Sequence, residues 1–448
     1  MQGQEARGQG TGLMGRALRG SALTAGSFAI TQGLRLASNL VLTRLLFHEA
    51  FGLMAMVSVV LVGLQMFSDT GVGPAISRSP RGDEPTFLDT AWTINLIRGV
   101  LLWGLTCALA WPLAMLWQAP DLVLLLPVAG VTLLIAGFNP TRIDTANRHL
   151  MLGRLTALDL VAQGVGIAAM VGLAFALQSV WALVIGAIIG SAAKLGLCWA
   201  WLPGPANRWR WERAAATELV HFGKWIFLST VCGFLLAQGD KAILGHYLSL
   251  EALGIYNIGF FLASFPALMA QAVVSRVMIP LYRVRAEGRG ETALRRARWG
   301  LTAGIVLALA VLALAGDPLV RFLYDDRYLA AGAILTAVAL VQMPGIVGMT
   351  YDQSALAAND GRGYFALIAM RAGAQTAAFL AGALWAGLGG ALLGQGLAAV
   401  AVHPLIIRLA RRHAVWDARH DLAMAALVAG LATLVLALHG PALAGLAR

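Results

Sequence analysis

Several things are scarce in this 448-residue chain. It has three cysteines. Cys107, Cys198 and Cys232 each sit inside an apolar run, and their spacing fits neither a zinc site nor a disulfide framework. They read as small core residues. Charge is scarcer still: 12% of residues are Asp, Glu, Lys or Arg, where a soluble domain carries about 25%. Such a chain cannot cover a water-facing surface, so lipid must be the solvent for most of it. Acids are outnumbered, 22 against 33 basic residues, for a net charge of +11. In a soluble protein that excess would point to nucleic acid. Here the arginines fall at regular intervals between apolar runs, which is the positive-inside pattern of a membrane protein, so no nucleic-acid partner is expected. There is no Gly-rich phosphate loop and no His/Asp cluster at metal-ligand spacing. No cofactor or metal is therefore expected.

What is abundant is hydrophobicity, 59% of the chain. It comes in runs of roughly 18–25 residues, the length of a helix crossing a bilayer. The alternation of a membrane β-barrel is missing. The expected class is an all-α multi-pass membrane protein. Residues 1–20 are Gly-rich and basic and read as a disordered tail. The first six spans fill an N-lobe over 21–203, ending Asp121–Asn139, Leu155–Leu177 and Trp181–Leu202. A polar linker, 204–217, carries NRWRWER, a mixture suited to the headgroup region. Six more spans fill a C-lobe over 218–407, ending Tyr364–Ala386 and Leu388–Ile407. A basic loop and an expected extra span, Leu422–Leu438, occupy 408–448.

With the N-terminus in the cytoplasm, one set of loops holds Arg78, Arg81, Arg148, Arg210, Arg289 and Arg411 among many others. The opposite side holds only Arg44, Arg321, Arg327 and Arg448. The asymmetry sets the orientation. Six spans per lobe is an even number, so the lobes are parallel repeats. One stretch supports duplication directly. Leu46-Phe47-His48-Glu49-Ala50-Phe51-Gly52-Leu53 aligns without a gap on Leu248-Ser249-Leu250-Glu251-Ala252-Leu253-Gly254-Ile255. Ala146-Asn147 and Ala358-Asn359 read as a later echo in the same order. The external loops are short; the longest, Asp317 to Leu329, is DPLVRFLYDDRYL, and Asp325-Asp326 reads as a solvated turn. Short loops argue against an integral glycan-assembly enzyme, which would need a domain to hold catalytic carboxylates.

Ionised residues inside spans mark cavities or pairs. Lys194, Arg276 and Arg371 lie in cytoplasmic portions of their spans and Lys241 in an external one, where snorkelling accounts for them. Arg35 lies near the middle of the first span. It belongs to a polar stripe with Thr31, Gln32, Ser38, Asn39 and Thr43 at helical spacing. A cavity lining is the reading given to that stripe, with a polar helix–helix interface as the alternative. Arg98, near Asn95 and Thr106, is the next candidate. Asn257, Ser264, Gln271 and Ser275 make an uncharged stripe that could face sugars. Asp69 is placed to balance Arg98 or Arg35, or to titrate in coupling.

The segments SDTGVGPAISR, FLDTAWTINLIRG, GDKAILGHYLSLEALGIYN and LYDDRYLAAGAIL, in that order, resemble the polysaccharide-transporter branch of the MOP flippase superfamily. The resemblance is to the Wzx-type, WzxC-like oligosaccharide flippases, and it runs to about Arg412. It implies two six-helix lobes around a central cavity, a MOP/MATE-like architecture. It implies a bacterial inner-membrane flippase for undecaprenyl-pyrophosphate-linked oligosaccharide, serving exopolysaccharide, O-antigen or capsule synthesis. A polymerase and a chain-length regulator of the same pathway are the implied partners. The rival within the superfamily is a drug or cation antiporter, which would want acids in its cavity.

Overall fold

The computed structural model describes residues 26, 29–68 and 71–447, with the side chains of 220–228 and 447 excepted. Among these residues the chain is helical, without strands. Helix α1 covers 29–45. It is followed by α2 (His48–Phe67), α3 (Val72–Arg78), α4 (Pro85–Leu116), α5 (Leu122–Gly137), α6 (Arg142–Arg148), α7 (Leu152–Leu177) and α8 (Trp181–Trp201). Then come α9 (Arg213–Tyr247), α10 (Leu250–Ala286), α11 (Glu291–Leu314), α12 (Gly316–Leu323), α13 (Ala330–Ala357), α14 (Gly361–Arg412) and α15 (Ala418–Ala444). Nine of the described helical stretches are long and apolar enough to cross a bilayer, and α5 with α6, bent by 57° at the break between them, passes the same test as a pair, as a broken span or a re-entrant loop. By contacts the chain divides into two compact units. One comprises residues up to Phe47 together with Val60–Leu228; the other comprises His48–Val59 together with Ser229–Arg448.

In the first unit α4 packs along α5 and α7 along α8. The linker after α8 is extended, and α4 pins it. Asp89, Thr90 and Thr93 are buried on α4. Asp89 Oδ1 accepts the N–H of Arg208 at 3.0 Å, Thr93 Oγ1 that of Arg210 at 3.1 Å, and Thr90 Oγ1 that of Glu212 at 3.2 Å. Alternate residues of an extended segment present their N–H groups to one side, which is why positions 208, 210 and 212 are served. Trp209 and Trp211 between them remain exposed. The same end of the unit is tied by Arg148. It donates to the carbonyls of Ile76 (2.8 Å) and Ser79 (2.7 Å), satisfying the end of α3, and pairs with Asp83 at 3.0 Å. His149 and Arg148 hold the Asp83 carboxyl below its usual range. Its contribution is therefore present at neutral pH and lost as pH falls into the acid range.

The second unit contains the most direct trace of duplication. α2 and α10 start at His48 and Leu250, the residues that the gapless alignment makes equivalent, each after an extended residue, Phe47 and Ser249. The two helix starts pack on each other reciprocally. A Cβ on Gly52 would run into the carbonyl oxygen of Leu250, and a Cβ on Gly254 into that of His48. Equivalent residues thus exchange equivalent contacts, the signature of a local two-fold relation. The two Asn residues of the Ala-Asn echo differ in backbone conformation. Leu150 and Asn359 take the left-handed conformation at φ 56° and 55°. Asn147, by contrast, lies within α6.

α14 is two helices. Ala386 (φ −145°, ψ 38°) and Gly387 (φ 57°, ψ −142°) break it, at the point the sequence assigns to the turn between two spans. A positive φ at that place suits glycine. Beyond α14, α15 lies on α13 and α11 and is keyed there by a buried carboxylate. Asp421 accepts from Tyr351 Oη (2.8 Å) and Trp416 Nε1 (2.9 Å). His420 Nδ1 lies 3.0 Å and His403 Nε2 3.4 Å from its oxygens. Arg298, itself buried, stacks on the Tyr351 ring at 4.3 Å. The helix beyond twelve is thus part of this unit. Asp421→Ala should strip an acceptor from the buried Tyr351 hydroxyl, the Trp416 indole and two imidazoles, at about 1–3 kcal/mol for each buried group left unsatisfied. A large fall in the unfolding midpoint of purified protein is expected, and a smaller one for Asp421→Asn. An unchanged midpoint would mean that α15 is held by apolar contacts alone.

Candidate functional site

A cavity of about 190 Å³ with a mixed polar and apolar lining lies within the second unit. Four helical segments build it, each giving one face. On α13, Gln342, Ile346, Met349 and Asp352 recur every three or four residues; on the first half of α14, Arg371 and Gln375 are one turn apart; on its second half, Gln395, Ala398 and Val402 share a stripe; α10 contributes Gln271. This is the i, i+3/i+4 periodicity of a helix face.

The charged feature of the cavity is one ion pair. Arg371 meets Asp352 as a fork, NH1 to Oδ2 at 2.8 Å and NH2 to Oδ1 at 3.1 Å. The Asp352 side chain is 9% exposed and that of Arg371 26%, so the pair is enclosed but reachable from the cavity. Bidentate geometry makes it strong and fixes its direction. The other polar groups are amides. Gln342 Nε2 reaches Ser264 Oγ at 3.4 Å. Gln395 Oε1 is fully enclosed and has no hydrogen-bond partner. The wall is therefore neutral in sum, rich in groups that both donate and accept, and otherwise aliphatic.

Of the residues singled out from the sequence, Gln271 lines this cavity. Asn257 is half-buried elsewhere on α10. The others belong to the first unit. Gln32 is 4% exposed with its Oε1 unpartnered, while Arg35, one turn along α1, is exposed and Asn39 half-buried. Arg98 donates from Nε to Ser68 Oγ at 3.0 Å and approaches the Gln65 carbonyl at 3.5 Å. Asp69 lies outside the described residues. Sequence reasoning passed over Asp352, Gln342, Gln375 and Gln395, and gave Arg371 to snorkelling. The structure gives Arg371 a carboxylate instead, and Lys194 one too: its Nζ is 2.8 Å from Asp159 on the neighbouring helix. The available signal was the pairing of Arg371 with Gln375 at i, i+4, and of Gln342 with Asp352 on one face of α13.

These helices carry the fold of the MOP superfamily of membrane transporters. Over 91% of both chains they match the lipid II flippase MurJ in its inward closed conformation, with a TM-score of 0.75 at 12% identity. They also match an inward-facing multidrug-resistance MATE transporter of that superfamily, with a TM-score of 0.65 at 13% identity, over 86% of this chain and 94% of that one. At the level of sequence, the profile of the polysaccharide biosynthesis protein family matches residues 41–333, and the chain belongs to that family. It is similar to the teichuronic acid biosynthesis protein TuaB of Bacillus subtilis (strain 168), 25% identical over 288 residues, 62% of this chain and 58% of that protein. It is also similar to the succinoglycan biosynthesis transport protein ExoT of Rhizobium meliloti (strain 1021), 23% identical over 253 residues, 56% of this chain and 51% of that protein. The chain thus aligns with 51–58% of the length of these relatives.

Proposed function

We propose that this protein is a flippase that carries undecaprenyl-pyrophosphate-linked oligosaccharide units across the bacterial inner membrane by alternating access. No covalent chemistry is required of it. The observation that carries the proposal is the combination of the family match with a neutral, amide-rich cavity inside a transporter fold. A cation antiporter would present an uncompensated acid there, and Asp352 already has both oxygens on Arg371. The pyrophosphate is assigned to arginines of the first unit, Arg35 with Gln32 and Asn39, and Arg98, because a guanidinium fork matches phosphate oxygens. Asp69 balances this positive charge. A polymerase and a chain-length regulator would act on the unit after it crosses. Depleting the protein should stop surface polymer and make lipid-linked repeat units accumulate on the cytoplasmic leaflet. Normal polymer on depletion, without accumulation, would remove the proposal.

Direction of transport depends on orientation. From the arginine asymmetry we expect the loops near Arg210, Arg289 and Arg411 in the cytoplasm and those near Pro120 and Asp326 outside. Single cysteines in these loops should react with an impermeant maleimide in intact spheroplasts only at the second pair. External reaction at position 289 would reverse the orientation.

A further inference from the structure

We propose that the cavity of the second unit is a subsite for one uncharged sugar ring of the transported oligosaccharide. This rests on the flippase reading and adds to it the chemical class that this cavity takes. Three observations lead to it. First, charge: the cavity holds one arginine and one aspartate joined as a fork, so its net charge is zero. A pyrophosphate needs uncompensated cations and a cationic drug an uncompensated carboxylate; neither is offered. Second, hydrogen-bonding capacity: Gln271, Gln342, Gln375 and Gln395 converge on the cavity, and each amide has two donors and an acceptor. The ion pair adds to this. A carboxylate has about four acceptor positions and a guanidinium five N–H groups, and the fork occupies two of each. Sugar hydroxyls, which donate and accept at once, complement such a wall. Third, the rest of the wall is apolar: Ile346, Met349, Ala398 and Val402 line the cavity beside the amides, and a sugar ring presents C–H faces as well as hydroxyls. The volume of about 190 Å³ suits a single ring, and Val341, Ile346 and Val402 cover its C–H surface.

The test uses the full-length protein in cells lacking the native copy, with surface polymer and membrane-inserted protein measured for every variant. Gln342→Leu and Gln375→Leu keep most of the side-chain bulk and remove the amide. Each should lower export about tenfold or more at unchanged protein level. Asp352→Asn and Arg371→Gln each leave one charge in the cavity and should do the same, whereas the double variant should regain several-fold over either single one. Wild-type export by both Gln→Leu variants would overturn the subsite. So would a double variant no better than the singles, since the charge itself would then be in use, as for a coupling ion. Either result would leave the flippase reading standing. That reading falls separately, if loss of the whole protein leaves the polymer unchanged.

Discussion

Gly52→Ala and Gly254→Ala should each lower the unfolding midpoint of the purified protein, and the double variant should fall little further than either one. At both positions the new Cβ meets a backbone carbonyl oxygen of the opposing helix. A carbonyl at a helix start cannot rotate away, because it already accepts the helix's own hydrogen bond. The two backbones must therefore separate. Forced overpacking of this kind costs about 1–3 kcal/mol, and it also removes the close contacts that small residues permit between helices in lipid. The lack of additivity is the distinguishing feature. Either substitution alone parts the same pair of helix starts, so the second meets a gap that has already opened. Summation of the two effects would mean that the glycines act at independent contacts, and the reciprocal packing would lose its meaning. Differential scanning fluorimetry on the three variants in one detergent is sufficient.

The second large effect is expected at Arg35. It sits on α1, exposed, with no ion pair among the described residues, one turn from a buried Gln32. If it holds pyrophosphate, Arg35→Ala should abolish export. Arg35→Lys should leave it severely reduced, because an ammonium keeps the charge but lacks the planar fork. Both proteins should insert normally, since an exposed side chain contributes little to packing, and lipid-linked units should collect on the inner leaflet. Loss of protein together with activity would give Arg35 a structural role. Abundant Arg35→Ala protein with unchanged export would transfer the pyrophosphate to another cation, Arg98 first.

What the amino-acid sequence determined here is what neighbouring residues decide among themselves. Hydrophobic runs of bilayer length give the spans. The small, flexible stretch at Ala386-Gly387 gives the break in α14. The turn at His48 and its copy at Leu250 give helices starting in identical register. The distribution of arginine gives an expected orientation, and the sequence between residues 41 and 333 is enough for the polysaccharide biosynthesis protein family. The tertiary structure alone decided which faces meet. It put Arg371 on Asp352, gathered four glutamines from four helical segments, brought two matched glycines onto each other's backbones, and buried Asp421 among four partners. The reason is physical. In water a helix is apolar on one side, and that side can be read. In lipid the outer face is as apolar as the inner one, so the pattern of hydrophobicity no longer says which face turns inward. Polar residues remain as markers of an interior, but their partners lie on other helices. Only the packing of those helices says whether an arginine such as Arg371 reaches out to the headgroups or inward to an acid.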